Sequence, residues 1–286
     1  MLMADKRFDF PTIGVIGAGF VGGAIINAFK NKHLKFYDKN PKLSQDSFTD
    51  TINQDFVFVC VPTPMKDKLG SECNLSIIYE CFDDINNSES DSIFIIKSTV
   101  PIGTTLKLQK RYKKLNIVHS PEFLTAKFAN EDFLNADRHI VGYSTRKKIG
   151  KKVLNLFKFY FPNNPCFLMM SNNSESVKYF ANCFFATKVS FFNEMFLLCE
   201  KLNLDWGQII EGVMSDSRIG NTHYQVPGHD GFRGFGGTCF PKDINALIAL
   251  FKENKINPLM LNAAWETNLI VRKNLDWAEE TSAVSK

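Results

Sequence analysis

The segment Gly234-Phe235-Gly236-Gly237-Thr238-Cys239-Phe240-Pro241-Lys242-Asp243 gathers the residue types that covalent carbonyl chemistry needs. Glycines let a backbone approach a ligand closely, and Pro241 suits the first position of a helix. Cys239 then sits just before a helix N-terminus, where a thiolate is stabilised. Lys242 adds positive charge. Asp243, four residues after Cys239, can reach the same pocket and orient a water. A thiolate adds to an aldehyde to give a thiohemiacetal. Loss of hydride makes a thioester, and water then releases the acid. The chain has seven cysteines. The others lie in strand, helix or apolar patterns and read as small buried hydrophobes.

A hydride acceptor is implied by a second motif. Gly17-Ala18-Gly19-Phe20-Val21-Gly22 follows the apolar run Ile13-Gly14-Val15-Ile16 and precedes a helical pattern. This is the strand–turn–helix context that a dinucleotide fingerprint requires. Gly17 permits the tight turn, Gly19 lets the pyrophosphate approach, and Gly22 lets helix pack on strand. Phe20 and Val21 open the helix whose free N–H groups face the diphosphate. Asp38 ends the next strand, where an acid can bind both ribose hydroxyls and repel a 2′-phosphate. NAD is therefore favoured over NADP, with Lys39 tempering the preference. Two further strand ends, Val61-Pro62-Thr63-Pro64 and Lys97-Ser98-Thr99-Val100-Pro101, carry rigid turns with hydroxyls. Pro62, Thr63, Ser98 and Thr99 are candidates for the same ligand, though either turn also reads as a plain loop.

The elements that position these residues follow from hydrophobic periodicity. Short apolar runs at 12–16, 34–37, 56–61, 92–96, 116–119 and 139–141 read as buried parallel strands separated by crossover helices. A further run at 166–170 closes the pattern. The expected fold class is α/β: a doubly wound Rossmann NAD-binding domain over 1–172, followed by an α-helical central and dimerisation domain over 173–286 that carries Cys239. One long helix is expected over 174–202, with Ser174 as its N-cap. It is apolar almost all round, which suits either a dimer core or an intramolecular one. Another helix is expected over 205–213, an irregular loop over 215–237, a helix from Pro241, a last helix over 258–278, and a polar, fraying tail over 279–286.

Composition excludes several classes. With 286 residues, 44% hydrophobic content and a net charge of +4, the chain is an ordinary globular one. Its 27 Phe read as compositional bias. The densest basic cluster, around 110–114, reads as a solvated helix face, so no nucleic-acid partner is expected. Unpaired cysteines without a CxxC argue against a disulfide framework or any metal site. They favour a reducing compartment. No run approaches a membrane span. Asp5-Lys6-Arg7 lead straight into the first strand without a signal-peptide core, so the cytoplasm is the default.

Taken together, the chain resembles the UDP-glucose/GDP-mannose dehydrogenase family from about residue 12 to residue 270. The resemblance rests on Gly17–Gly22, Val61-Pro62-Thr63-Pro64, Ser98-Thr99-Val100-Pro101, Ser120-Pro121-Glu122-Phe123-Leu124, Lys178 with Asn182, Arg218-Ile219-Gly220-Asn221 and Gly234–Asp243, in that order. It implies NAD-dependent oxidation of a nucleotide-sugar C6 alcohol to a carboxylate through an enzyme thioester. UDP-glucose is the first substrate expected, with GDP-mannose or a UDP-N-acetylhexosamine as alternatives. It also implies uronic-acid supply for polysaccharide and a homodimer built through 174–202. Cys239 would be the nucleophile. Lys178 would assist deprotonation and stabilise oxyanions, and Asn182 would hold the oxygen at the reacting carbon. Thr99 and Asp243 would position water, and Glu122 would serve thioester hydrolysis. Phe123, Leu124, Arg218, Phe235, Gly236, Gly237 and Lys242 would line the substrate, Arg218 from a partner subunit or from its own.

The residues alone say less about some of these. Lys178 and Asn182 share a helix face, yet by pattern they read as solvated surface, with Glu175 one turn away as a partner for Lys178. Glu122 also reads as a helix-start carboxylate, and His119 as structural. Two departures from the family pattern stand out. Ala126 replaces a second glutamate, and 225–233 lengthens the loop before Gly234. Relatives also continue into a UDP-binding domain. A separate UDP-binding chain, or a partner-dependent NAD-binding module, is therefore a competing expectation.

Overall fold

Strict alternation along short apolar strands sends side chains to both faces of a sheet, and each face must be covered. In the computed structural model, which describes residues 10–30, 32–125, 128–280 and 282–285, this is what the first half of the chain does. The elements run β1 (Ile13–Ile16), α1 (Phe20–Phe29), β2 (Leu34–Tyr37), α2 (Phe48–Ile52), β3 (Phe56–Val59), α3 (Ser76–Asn87), β4 (Ile93–Ile96), α4 (Thr104–Arg111), β5 (Asn116–His119), α5 (Ala129–Leu134), β6 (His139–Tyr143), α6 (Lys147–Tyr160) and β7 (Cys166–Met170). They form a seven-stranded sheet of order β2-β1-β3-β4-β5-β6-β7. Ile13, Val15, Phe58, Ile95 and Val118 pack on one face with residues of α1, α5 and α6. Ile16, Val57, Val59, Phe94 and Ile117 pack on the other with α2, α3 and α4. The sheet is doubly wound, as expected.

Strand direction needs one correction. The run at 139–141 is not parallel to its neighbour: β6 pairs antiparallel with β5 and parallel with β7. Six-residue α5 is about 9 Å long, so the chain re-enters the sheet from the edge it left. The outer strands β2 and β7 are also only half-buried.

The second half is helical: α7 (Ser171–Leu202), α8 (Trp206–Met214), a 3₁₀ turn at Ser217–Ile219, α9 (Phe240–Glu253), α10 (Leu259–Val271) and a 3₁₀ turn at Asp276–Ala278. Helix α7 begins three residues before the expected Ser174. Ser174 is no cap: its hydroxyl donates to Ser171 O (2.9 Å) and meets His119 Nδ1 (2.8 Å). Asp205 does cap α8, accepting from Gln208 N at 3.1 Å. The last helix stops at Val271 and resumes only as the turn at 276.

The chain resolves into two compact units, residues 1–62 with 75–178, and residues 63–74 with 179–286. The boundary thus falls inside α7, and a short inserted segment belongs with the helices. That segment folds back on itself through an antiparallel Met65–Cys73 bridge. The tail does not fray as expected. Met65 N donates to Ala283 O (2.6 Å), Ser285 N donates to Met65 O (2.7 Å), and Ala283 is fully buried.

Candidate active site

In the first unit the Gly17–Gly22 turn has little freedom. Gly17 has φ +91°, and a Cβ there would lie 2.7 Å from Cys60 O. A Cβ at Gly22 would lie 1.7 Å from Gly17 O, whereas nothing stands within 4 Å of one at Gly19. Helix α1 starts at Gly19 with no side-chain cap and no acid in its first turn. Its N–H groups are thus left for an anion. Asp38 closes the turn: Oδ2 accepts from Ala18 N and Oδ1 from Asn40 N, both at 2.7 Å. These residues fit a dinucleotide, with an open helix N-terminus, a glycine free of neighbours and an acid at the next strand end. Phe20 is exposed and Val21 half-buried. Ser98 is buried, its hydroxyl donating to Val61 O (2.6 Å), while Thr99 is half-buried and Pro62 exposed.

Beyond β5 the chain reaches Glu122, whose side chain is 7% exposed against 4% for Lys178. Lys178 Nζ donates to Glu122 Oε1 (2.8 Å), and Leu124 N donates to Oε2 (2.7 Å). Burial pushes the Glu122 carboxyl up. The Lys178 ammonium, the Leu124 N–H and Lys97 outweigh it and hold the group below the usual carboxylate range. Lys178 is therefore not solvated, and Glu175 does not pair with it. Glu175 instead caps α4, accepting from Gly103 N (2.5 Å), Thr105 N (2.8 Å) and Thr105 Oγ1 (2.6 Å). Phe123 lies under the Arg138 guanidinium, 4.2 Å from its ring centre.

The same region holds a residue that sequence reasoning passed over. Lys97, at the end of β4, is 2% exposed. Its Nζ donates to Pro121 O (3.0 Å) and Ser120 Oγ (3.4 Å). Burial lowers it to about 8, against the opposing pull of Cys60 and Glu122. It lines a cavity of about 210 Å³ with Glu122, Phe123, Leu124, Thr125 and Arg138. Lysine in a strand-end turn carries no local signal of burial. His119 is structural as expected: fully buried and held near 3 by desolvation. Ala126 lies outside the described residues.

In the second unit Cys239 is the N-cap residue of α9, with Pro241 in the first turn. It is half-buried, and Thr238 Oγ1 lies 3.8 Å from its sulfur. Below it, Lys242 Nζ donates to Asp243 Oδ1 (2.5 Å) and Asn182 Nδ2 donates to Asp243 Oδ2 (2.6 Å). All three are buried. Burial pushes Lys242 down, but Asp243, Cys73 and Cys239 outweigh it and raise the ammonium above its usual value. It therefore stays charged beside the thiol. Burial instead pushes Cys60 and Cys81 up to about 12 and raises Cys73, Cys166 and Cys183.

The glycines before Cys239 have a packing reason. A Cβ on Gly234 would lie 2.3 Å from Asn268 Oδ1, and one on Gly236 would lie 2.2 Å from Arg272 Nη2. At both positions the close neighbour is a polar side chain, Asn268 of α10 for Gly234 and Arg272, just beyond α10, for Gly236. Only at Gly237, with φ +70°, is nothing within 4 Å. Phe235 is buried beside Phe240 and Trp265. Arg218 points to solvent, 88% exposed, with Nη2 2.5 Å from Asp216 Oδ2.

A glycine turn, an uncapped helix start and a strand-end acid define a dinucleotide-binding unit of the Rossmann class, here followed by a helical unit bearing a cysteine at a helix N-terminus. The NAD-binding domain model of the UDP-glucose/GDP-mannose dehydrogenase family matches residues 35–160, and that family's central domain model matches residues 172–269. A UDP-glucose 6-dehydrogenase of Rickettsia typhi is 32% identical over 303 residues, covering 92% of this chain and 68% of that protein. One from Campylobacter jejuni is 38% identical over 223 residues, covering 77% and 54%. A solved UDP-glucose dehydrogenase from Pyrobaculum islandicum superposes with a TM-score of 0.81 at 25% identity, covering 94% of this chain and 70% of its own. The chain belongs to the UDP-glucose/GDP-mannose dehydrogenase family, and its cofactor is NAD. It spans 57% and 54% of the Rickettsia bellii and Campylobacter jejuni relatives.

Proposed function

We propose that this chain oxidises UDP-glucose to UDP-glucuronate, taking up water and reducing two NAD to NADH with release of three protons. The observation that carries this reading is the buried Lys242–Asp243 pair in the first turn of the Cys239 helix, joined to Asn182 of α7. A buried polar chain of this kind is often no more stable than an apolar core of equal volume. Its place beneath a thiol at a helix N-terminus argues for chemistry.

When bound, NAD supplies the hydride acceptor, and Gly17, Gly19, Phe20, Val21, Gly22, Asp38, Pro62, Thr63, Ser98 and Thr99 would hold it. The remaining roles fall to named side chains. Lys178 assists removal of the C6 hydroxyl proton as the alcohol becomes an aldehyde. The Cys239 thiolate then adds to the aldehyde carbon, and Lys178 and Asn182 hold the resulting oxyanion. Departure of the second hydride leaves a thioester on Cys239. Water positioned by Thr99 and Asp243 attacks it, Glu122 takes the water's proton, and the C–S bond breaks to return the thiolate. Phe123, Leu124, Arg218, Phe235, Gly236, Gly237 and Lys242 complete the substrate contacts. The proposed domains are 1–172 for NAD and 173–286 for the helical part, and a second copy is the proposed partner.

The test is NADH formation at 340 nm by the purified chain with NAD and UDP-glucose, beside Cys239→Ala. Two NADH per sugar, lost in the variant, supports the reading. NADH with GDP-mannose or a UDP-N-acetylhexosamine alone reassigns the substrate. A folded chain that binds NAD but turns over none of these sinks it.

A further inference from the structure

The residues that deliver Cys239 form a strap held from outside at Gly234, Phe235 and Gly237. Gly234 N donates to Asn193 Oδ1 at 3.0 Å. Phe235 is bonded on both sides by one amide: Phe235 N donates to Asn268 Oδ1 (2.7 Å), and Asn268 Nδ2 donates to Phe235 O (2.9 Å). Gly237 N donates to Asp276 Oδ2 at 2.9 Å. Arg272 then ties the acids together, Nη2 reaching Asp230 Oδ2 (2.8 Å) and Asp276 Oδ1 (3.0 Å). Asn268 is fully buried and Arg272 is 2% exposed. The reciprocal amide pair imitates a strand partner, so Asn268 does for Phe235 what a neighbouring backbone does in a sheet.

We infer that Asn268, Arg272 and Asp276 are positioning residues for the nucleophile, setting where Cys239 sits at the start of α9. The inference rests on the assignment of Cys239 as nucleophile. Two observations carry it beyond ordinary loop packing. The glycines at 234 and 236 face the side chains of Asn268 and of Arg272 and Asp276 so closely that no Cβ fits, so side chain and glycine form one fitted unit. The fixed stretch also ends two residues before Cys239, whose own carbonyl is already bound by Asp243 N (2.9 Å) in α9. The thiol is therefore placed between two fixed stretches of backbone. Releasing the strap lets Cys239 rotate away from the helix N-terminus and from Lys242, both of which favour the thiolate.

The test reads the thiol directly, with or without sugar turnover. Iodoacetamide labelling of Cys239, followed by peptide mass mapping across pH, is compared in wild type, Asn268→Ala, Asn268→Asp and Asp276→Ala. Asn268→Ala is expected to move the profile to higher pH and to slow labelling at neutral pH about threefold or more. Asn268→Asp, which keeps the acceptor for Phe235 N, should fall between it and wild type. In turnover, kcat should drop by up to about 10²-fold, as for small misplacements of a reacting group, with KM for both substrates little changed. Asp276 is partly exposed, so Asp276→Ala serves if Asn268→Ala does not fold. Labelling profiles that overlay wild type in the folded variants overturn the inference. A wild-type chain without turnover defeats the proposed reaction, while the labelling comparison still judges the strap.

Discussion

Lys178 and Lys97 are both buried in the first unit, and their surroundings differ. Lys178 meets a carboxylate; the hydrogen bonds of Lys97 go to neutral oxygens. Glu122 is held below its usual range, so the stability it contributes is present above the unfolded pKa near 4.3 and is lost as pH falls through the lower folded value. Glu122→Gln should remove that loss, seen as a flatter urea midpoint below about pH 4. At neutral pH it should cost about 3 kcal/mol, because the buried Lys178 ammonium loses this carboxylate. Lys97 is shifted in the same direction for a different reason, burial rather than a charge partner. Its folded value of about 8 lies below the unfolded 10.4 or so, so between them the unfolded chain binds the extra proton and stability rises with pH. Lys97→Met should abolish that rise; a slope persisting in the variant assigns it to another group. Cys239, Asp38 and Gly17–Gly22 could be singled out because their meaning is local. Lys97, Asn193, Asn268 and Arg272 could not, because each acquires its role from backbone dozens of residues away.

At the scale of elements, glycine and capping chemistry make the sharpest expectations. Gly22→Ala places a methyl 1.7 Å from Gly17 O, so α1 must move away from β1. NAD binding, followed by quenching of intrinsic fluorescence, should weaken by more than tenfold while the chain remains folded. Affinity equal to wild type would show that the turn does not hold the diphosphate. Glu175 supplies α7's carboxylate to the first turn of α4, and Glu175→Ala should lower stability by about 1–3 kcal/mol, since buried N–H groups lose their acceptor. Chemical denaturation measures this. Periodicity predicts elements but is blind to such ties. Strands and long helices were legible because their pattern repeats within a few residues. The direction of β6 depends on a connection, and the end of α10 on the turn and ion pairs around Arg272, so neither was.

For the molecule as a whole, the second unit presents an apolar stripe. Phe180, Phe184, Phe191, Met195, Leu198 and Leu202 recur at helical spacing along α7, and all are exposed, Phe184 by 62%. Spacing alone left an internal core and a dimer core equally open. Exposure of the stripe supports the second. Phe184→Glu with Phe191→Glu should convert a dimer to monomer in sedimentation analysis. A wild-type chain already monomeric at micromolar concentration removes the proposed partner. No described helix is long and apolar enough to cross a membrane.

The short segment 63–74 interrupts the first unit yet is held by the second: Trp277 Nε1 donates to Lys68 O (2.9 Å), and Met65 is bracketed by Ala283 and Ser285. During synthesis on a ribosome the sheet can close as soon as β7 emerges. The segment has by then long been made, but its partners at 277–285 have not. It must wait, unpaired, through the synthesis of some two hundred further residues, and it then closes one of the longest loops in the chain. Closing such a loop costs little more entropy than closing a shorter one, so the penalty falls on timing. The helical unit cannot be completed before residues 277–285 have emerged, and interruption of translation between β7 and Trp277 leaves a finished sheet with the 63–74 segment still open.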